Sequence, residues 1–407
     1  MKGEIDSQSV GEIEALFPEE ILSHFKNQAK ELVRNIQGRK RKKDLQRILI
    51  HIEKINGVRE KGRLYFNLCK ILHMSRDIPS LRSQQKIKTQ LNLLHQAIRL
   101  IWLTSGSSFD KYPRIGNPAG FSLLIKNNNT NWGVLKQRDE WSEVAVWETS
   151  LILDCEDSIA GSLAIHFKEK NFVFQPFQKA KFFNGLFLFP KKMNRRIQKV
   201  SEWDFWKANL FLFLIGHRDL TCCNIGVCSN RKLFFCDNEG AFSPLEHRVF
   251  KVHGKDFNLQ LPTMNLMVDW PQARTPLSSK VAKNVTTLVS NWLRKKDDLL
   301  RYMEHPFNDF VLNSDAQNAF EKRYAKTLAM QWISKETTFQ GFILSVYPTL
   351  YEGVPELVDL SSPIIGEQVS PMSALLFISM CRGWWERMTE QDHENFLRCL
   401  EKYSVNK

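Results

Sequence analysis

The 407-residue chain has no long apolar run: stretches such as Leu210 to Ile215 fall far short of the roughly 18 residues that begin to suggest a membrane span. Its amino terminus, MKGEIDSQSVGEIEALF, carries acidic residues and lacks a continuous apolar segment, so neither a secretory signal nor an Arg-rich transit peptide is visible. A cytoplasmic protein is the resulting expectation. No internal repeat and no low-complexity tract is found, and a composition 43% hydrophobic and 25% charged excludes a disordered or collagen-like chain. Cysteine is also sparse, at eight residues. Cys69, Cys155, Cys381 and Cys399 stand singly in apolar segments, where thiols behave as small hydrophobes. Cys222, Cys223, Cys228 and Cys236 lie closer together but lack the paired C-x2-C knuckles of a zinc ribbon.

What the chain does have is positive charge, and it is unevenly placed. Of the net +13, residues 1–100 contribute nine, with 20 Lys and Arg against 11 Asp and Glu. The run Arg39 to Lys43 is the densest part. It suits acidic lipid headgroups, nucleic acid or an acidic protein face, although no aromatic residue interleaves it as in nucleic-acid sites, and a solvated loop between helices is the simplest reading.

Periodicity divides the chain. Residues 1–108 read as a basic helical extension: Pro18 opens a stripe of Ile21, Leu22, Phe25, Ala29, Leu32, Val33 and Ile36, and further stripes run over Leu45 to Ile55 and Leu91 to Trp102. The charge excess ends before residue 109, so this arm should be separable from any chemistry. Residues 109–178 read as antiparallel strands plus one helix: Phe121 to Ile125, the turn Asn127 to Asn131, Trp132 to Lys136, a helix over Glu140 to Leu153, and two strands flanking the turn KEKN. Residues 179–407 are mainly helical. Ser201 caps a helix too apolar for a surface that ends at Gly216, two short strands follow (Ile225 to Cys228 and Leu233 to Cys236), and helices are expected over Val281 to Arg294, Ala316 to Ile333, Pro371 to Met388 and Glu390 to Tyr403. The tandem Trp384 and Trp385 read as core.

The chemistry concentrates in His217-Arg218-Asp219-Leu220-Thr221-Cys222-Cys223-Asn224, followed thirteen residues later by Asp237-Asn238-Glu239-Gly240. Phosphoryl transfer needs a carboxylate to orient the attacking hydroxyl and oxygen ligands to hold Mg²⁺ on the phosphates. Asp219, Asn224 and Asp237 supply that set.

These residue types, spacings and the helix, loop, strand, strand order resemble the protein-kinase-like superfamily. The resemblance implies an α+β, two-lobed protein-kinase-like fold with an N-terminal helical extension and a helical C-terminal lobe. It makes Asp219 the catalytic carboxylate, Asn224 and Asp237 the metal ligands, His217 and Arg218 structural, and ATP and Mg²⁺ the cofactors. Thr221 in place of a Lys, Asp237-Asn238-Glu239 in place of D-F-G, and the missing A-P-E mark an atypical member, similar to aminoglycoside phosphotransferases and lipopolysaccharide-core kinases, which lack the helical extension.

The same resemblance calls for a phosphate-pairing Lys on a strand, held by a Glu on the next helix. Lys136 fits. Glu148, set deepest among Val144, Val146, Leu151 and Ile152, is preferred as its partner, ahead of Glu143 and Glu140. Gly116 and Gly120 stand where a phosphate-covering loop would be, and Gln175 to Phe177 where a hinge would meet the adenine. The function implied is transfer of the ATP γ-phosphate to a hydroxyl acceptor, whether protein, lipid or sugar. A pseudokinase or adaptor whose basic arm binds an anionic partner, and an AMP-transferring enzyme, remain open at this level.

Overall fold

A computed structural model describes residues 19–36, 38–104, 112–114, 122–127, 130–137, 141–183, 195–217, 220, 224–242, 247–252, 255–260, 267, 270–310, 312–328, 330, 337–339 and 341–342. The protein is α+β, mixing helix and sheet, and the chain divides into two compact units. No helix among the described residues is long and apolar enough to cross a membrane. The expected helices over Pro371 to Met388 and Glu390 to Tyr403, with Trp384 and Trp385, lie outside the described residues.

The first unit gathers residues 1–156, 160–178 and 295–311. Helices α1 (Glu19–Asn35), α2 (Arg39–Glu53), α3 (Val58–Asp77) and α4 (Gln84–Thr104) precede a sheet of β1 (Ser122–Asn127), β2 (Thr130–Gln137), β3 (Leu163–Phe167) and β4 (Lys170–Pro176), with α5 (Ser142–Ile152) between β2 and β3. The strands are antiparallel in the order β1-β2-β4-β3. As an edge strand β3 has carbonyls to satisfy from outside the sheet, and α3 does so: Asn67 Nδ2 donates to Ala164 O at 2.7 Å and Arg63 Nε to the same oxygen at 3.4 Å.

Two expectations are corrected here. The basic run does not form a loop but opens α2, which has no acidic residue in its first turn. Such a start is unfavourable to the helix dipole; one member of the run recovers something, since Lys42 Nζ donates to the Arg34 carbonyl at the end of α1 at 3.0 Å. Nor is the helical extension a separable arm ending at residue 108. It belongs to one compact unit with the sheet, because α3 buries polar and charged groups, Arg63, Asn67 and Lys70, whose partners lie far along the chain.

The third stretch of this unit contains α9 (Lys296–Met303), which the sequence reading did not single out. Phe307 packs against Phe25 of α1, Phe66 of α3 and, stacked at 4.9 Å, His73. Ser80 N donates to Asp298 Oδ2 at 2.9 Å. Phe310 joins a small core of Trp141, Val144, Ala164 and Val173.

The second unit holds residues 157–159, 179–294 and 312–407. Its described elements are β5 (Ala180–Phe182), α6 (Glu202–Leu214), β6 (Ile225–Cys228), β7 (Leu233–Phe235), the hairpin β8 (His247–Val252) and β9 (Lys255–Gln260), the single turn α7 (Pro271–Arg274), α8 (Ser279–Arg294) and α10 (Ser314–Leu328). Strands β5, β6 and β7 form one antiparallel sheet. α6 is the buried helix the sequence indicates, capped by Ser201, whose hydroxyl accepts from Asp204 N at 3.0 Å.

α6 ends in a Schellman arrangement. Gly216, at φ 59, donates its N–H to Phe213 O at 3.0 Å, and His217 N donates to Leu212 O at 3.1 Å. The Arg323 guanidinium, which also bonds Leu214 O, lies 2.4 Å from where a Cβ on Gly216 would stand. Gly216→Ala should therefore cost about 1–2 kcal/mol for the left-handed backbone alone, with the collision adding to it. Urea denaturation checks this; an unchanged midpoint would mean the turn is not held in this form.

Candidate functional site

In the first unit the site begins at β2. Lys136 is buried on the β2 face whose other residues, Trp132 and Val134, are only half-buried, and its ammonium meets Glu143 Oε1 of α5 at 2.7 Å, with the Glu143 side chain 1% exposed. The second carboxylate oxygen of Glu143 accepts from Gln175 Nε2, which also donates to Ser162 Oγ at 2.9 Å. A lysine and a carboxylate buried together are held by mutual charge, and the amide fixes the carboxylate's orientation.

The partner of Lys136 is thus Glu143 and not Glu148. Depth in the helix is a misleading guide, because burial of Glu148 comes with partners from the helical extension and the 295–311 stretch and not from β2. Glu148 Oε1 meets Lys70 Nζ at 2.8 Å, and its Oε2 accepts from Tyr302 Oη at 2.9 Å. Lys70 also reaches Asp309 Oδ2 at 2.9 Å, and Asp309 Oδ1 pairs with Arg63 at 2.8 Å. Glu140 lies outside the described residues, as do Gly116 and Gly120. The hinge residues are present in altered roles: the Gln175 side chain turns inward to Glu143, and the Phe177 N–H is spent on Trp132 O at 2.9 Å, so it is not available to a base.

This buried cluster of two cations and two carboxylates sets its own protonation. Burial opposes the charge on Lys70, but Asp309 and Glu148 outweigh it and raise its pKa. Burial would likewise raise Asp309, yet Arg63 and Lys70 hold it below the usual carboxylate range. At Glu148 burial wins, and the carboxyl sits above its ordinary 4.5 despite Lys70. A group raised on folding stabilises below its unfolded value, and that stability is lost as pH rises through the folded value. Relative to Glu148→Gln, the native protein should therefore become more stable as pH falls from neutrality toward 4.5 and then level off, in urea denaturation followed across that range.

The second unit carries the remaining candidates. His217 follows the α6 cap and is buried, 5% exposed. Arg218, Asp219, Thr221, Cys222 and Cys223 lie outside the described residues. Asn224 stands immediately before β6, and just beyond the Ile225 and Phe235 pair the Cys236 N–H donates to Asn224 O at 3.1 Å. Asp237, the next residue, adopts the left-handed conformation at φ 60 and ψ 56. Asn224 and Asp237 are thereby delivered to the same end of one hairpin. A non-glycine residue held in that region costs free energy that its surroundings must supply, and such residues concentrate at functional sites.

The donor chemistry here suits a hard cation: an amide and a carboxylate oxygen, with no thiolate or imidazole needed. Beside them Asn238 is fully buried, and neither of its side-chain atoms has a hydrogen-bond partner among the described residues. A buried unpaired amide is costly unless something polar meets it. Asn238 was not singled out from the sequence, and neither were Lys70 and Asp309. Among the described residues no group of three His, Cys, Asp or Glu side chains is placed to hold a metal. Cys69 and Cys228 are free thiols.

Compared with known protein families and with curated proteins, the chain matches none.

Proposed function

We propose that the protein is an ATP- and Mg²⁺-dependent phosphotransferase, an atypical kinase of two-lobed kinase-like fold. The observation that carries this reading is the buried Lys136 and Glu143 pair, on a central strand and the helix that follows it, inside a four-stranded antiparallel sheet. The H-R-D-x-x-x-x-N spacing and Asp237 support it from the other end of the chain. Lys136 pairs with the nucleotide phosphates while Glu143 holds its ammonium in place. Asn224 and Asp237 hold Mg²⁺, which when bound neutralises charge on the phosphates. Asp219 orients the acceptor hydroxyl and takes its proton as oxygen bonds to the γ-phosphorus, and the bond from that phosphorus to the bridging oxygen breaks to release ADP. The exposed Lys43 and Arg47 of α2 offer an anionic acceptor or partner a basic face.

Incubating the full chain with a cell lysate and either γ-labelled or α-labelled ATP tests the reading. Label entering an acceptor from the γ position alone is expected. Label from the α position would indicate AMP transfer, and no label with no MgATP-induced rise in melting temperature would leave an adaptor.

A further inference from the structure

α5 has little of its own to keep it where it is. Its sequence, SEVAVWETSLI, is rich in β-branched residues and has no side-chain cap at its start. Yet every residue of it is buried, and it is fastened at three levels. Glu143 near its start meets Lys136 of the sheet. Glu148 lies five residues on, about 140° further round the helix, and meets Lys70 and Tyr302 instead. At the carboxyl end Lys295 Nζ donates to Ile152 O at 2.8 Å, and Asp154 just beyond receives Lys86 at 2.5 Å and also Lys295. The fastenings away from the sheet all come from the helical extension or from residues 295–309.

We infer that Lys70, Glu148, Tyr302 and Asp309 are positioning residues, forming a clamp that holds α5 where Glu143 can engage Lys136. Asp309 has a double part: it draws Lys70 toward Glu148 and is itself fixed by Arg63, which also anchors to β3 through Ala164 O. Two carboxylates on different faces of one helix, each meeting an opposite charge from a different layer, define the helix's rotation as well as its position. Loss of the outer contacts leaves a helix of weak intrinsic preference free to turn, and Glu143 turns with it. The consequence for catalysis rests on the phosphotransferase reading; the consequence for the Lys136 pair does not.

The test uses the full chain as Tyr302→Phe, Lys70→Met and Lys70→Arg, with Glu143→Gln as the reference for an open pair. Two quantities are measured: the rate at which Lys136 is modified by an amine-reactive reagent, mapped by mass spectrometry, and KM and kcat for MgATP. Tyr302→Phe removes the hydrogen bond that Glu148 accepts and should raise both the Lys136 modification rate and the KM about tenfold. kcat at saturation should stay near native, because bound nucleotide restores the paired arrangement. Lys70→Met should move further in the same direction, and Lys70→Arg should recover much of the loss. A merely structural role would lower kcat by reducing the folded fraction while leaving KM unchanged, and that result overturns the inference. So does native-like Lys136 reactivity in Tyr302→Phe when Glu143→Gln is reactive. If the native protein neither binds nor turns over MgATP, the phosphotransferase reading falls, and the Lys136 modification rates alone still decide the clamp.

Discussion

Asp309→Asn should destabilise the protein by about 3–5 kcal/mol, the loss typical when one partner of a buried ion pair is removed. The native arrangement balances Arg63 and Lys70 against Asp309 and Glu148, with the Asp309 and Lys70 side chains each 3% exposed. Asparagine preserves the shape but leaves two buried cations facing one carboxylate, and that carboxylate is already pushed toward its neutral form by burial. Total stabilities of about 5–15 kcal/mol make such a loss a large share of what holds the fold. The control is Asp44→Asn, whose pairing with Arg47 at 3.9 Å is solvent-exposed and should matter little. Chemical denaturation of both variants checks the contrast; equal midpoints would mean the cluster is not buried as described.

The second large effect concerns transfer. Lys136→Met should lower nucleotide affinity and turnover, whereas Lys126→Met, on the exposed face of the preceding strand, should not. Asp219→Ala should reduce transfer by about a hundredfold or more while leaving nucleotide binding near native, as expected for an orienting carboxylate. Asp237→Ala should instead remove the difference in melting temperature between ATP with Mg²⁺ and ATP with EDTA. Steady-state kinetics with melting curves separates the three behaviours. Full activity in Asp219→Ala would refute the catalytic assignment, and equal losses from Lys126→Met and Lys136→Met would refute the role of the β2 lysine.

How much of this was legible depended on how local the cause was. Strands β1 to β4 follow from short apolar runs set off by the Asn-rich turn and the KEKN turn, and helix α5 from its helical period, all readable within a dozen residues. Ser201 and Gly216 delimit α6 by cap chemistry that the sequence displays openly. α3 is different. Arg63, Asn67 and Lys70 interrupt its apolar pattern, and their partners are the backbone of β3, 97 residues from Asn67, and Asp309, 239 residues from Lys70. No window of sequence joins such pairs, so a buried lysine looks like a surface one. The choice between Glu143 and Glu148 failed for the same reason: both are buried, and only the sheet and the distant segments decide which faces Lys136. The closeness of Asn224 and Asp237 along the fold is more legible, because the short β6-β7 hairpin sets Asn224 against Cys236, the neighbour of Asp237.

The three-segment construction of the first unit also constrains how the chain can be made. When residue 178 leaves the ribosome, all four strands of the sheet and α1 to α5 exist, but Asp309 and Tyr302 do not. Arg63 and Lys70 then have no buried carboxylate from that stretch, and α3 cannot be fully dried against α5 without stranding charge. Translation at about 5–20 residues per second leaves an interval on the order of ten seconds before residue 311 arrives. Closure over Lys70 is therefore expected to be a late event governed by long-range contact. A fragment ending at residue 178 would stop short of it.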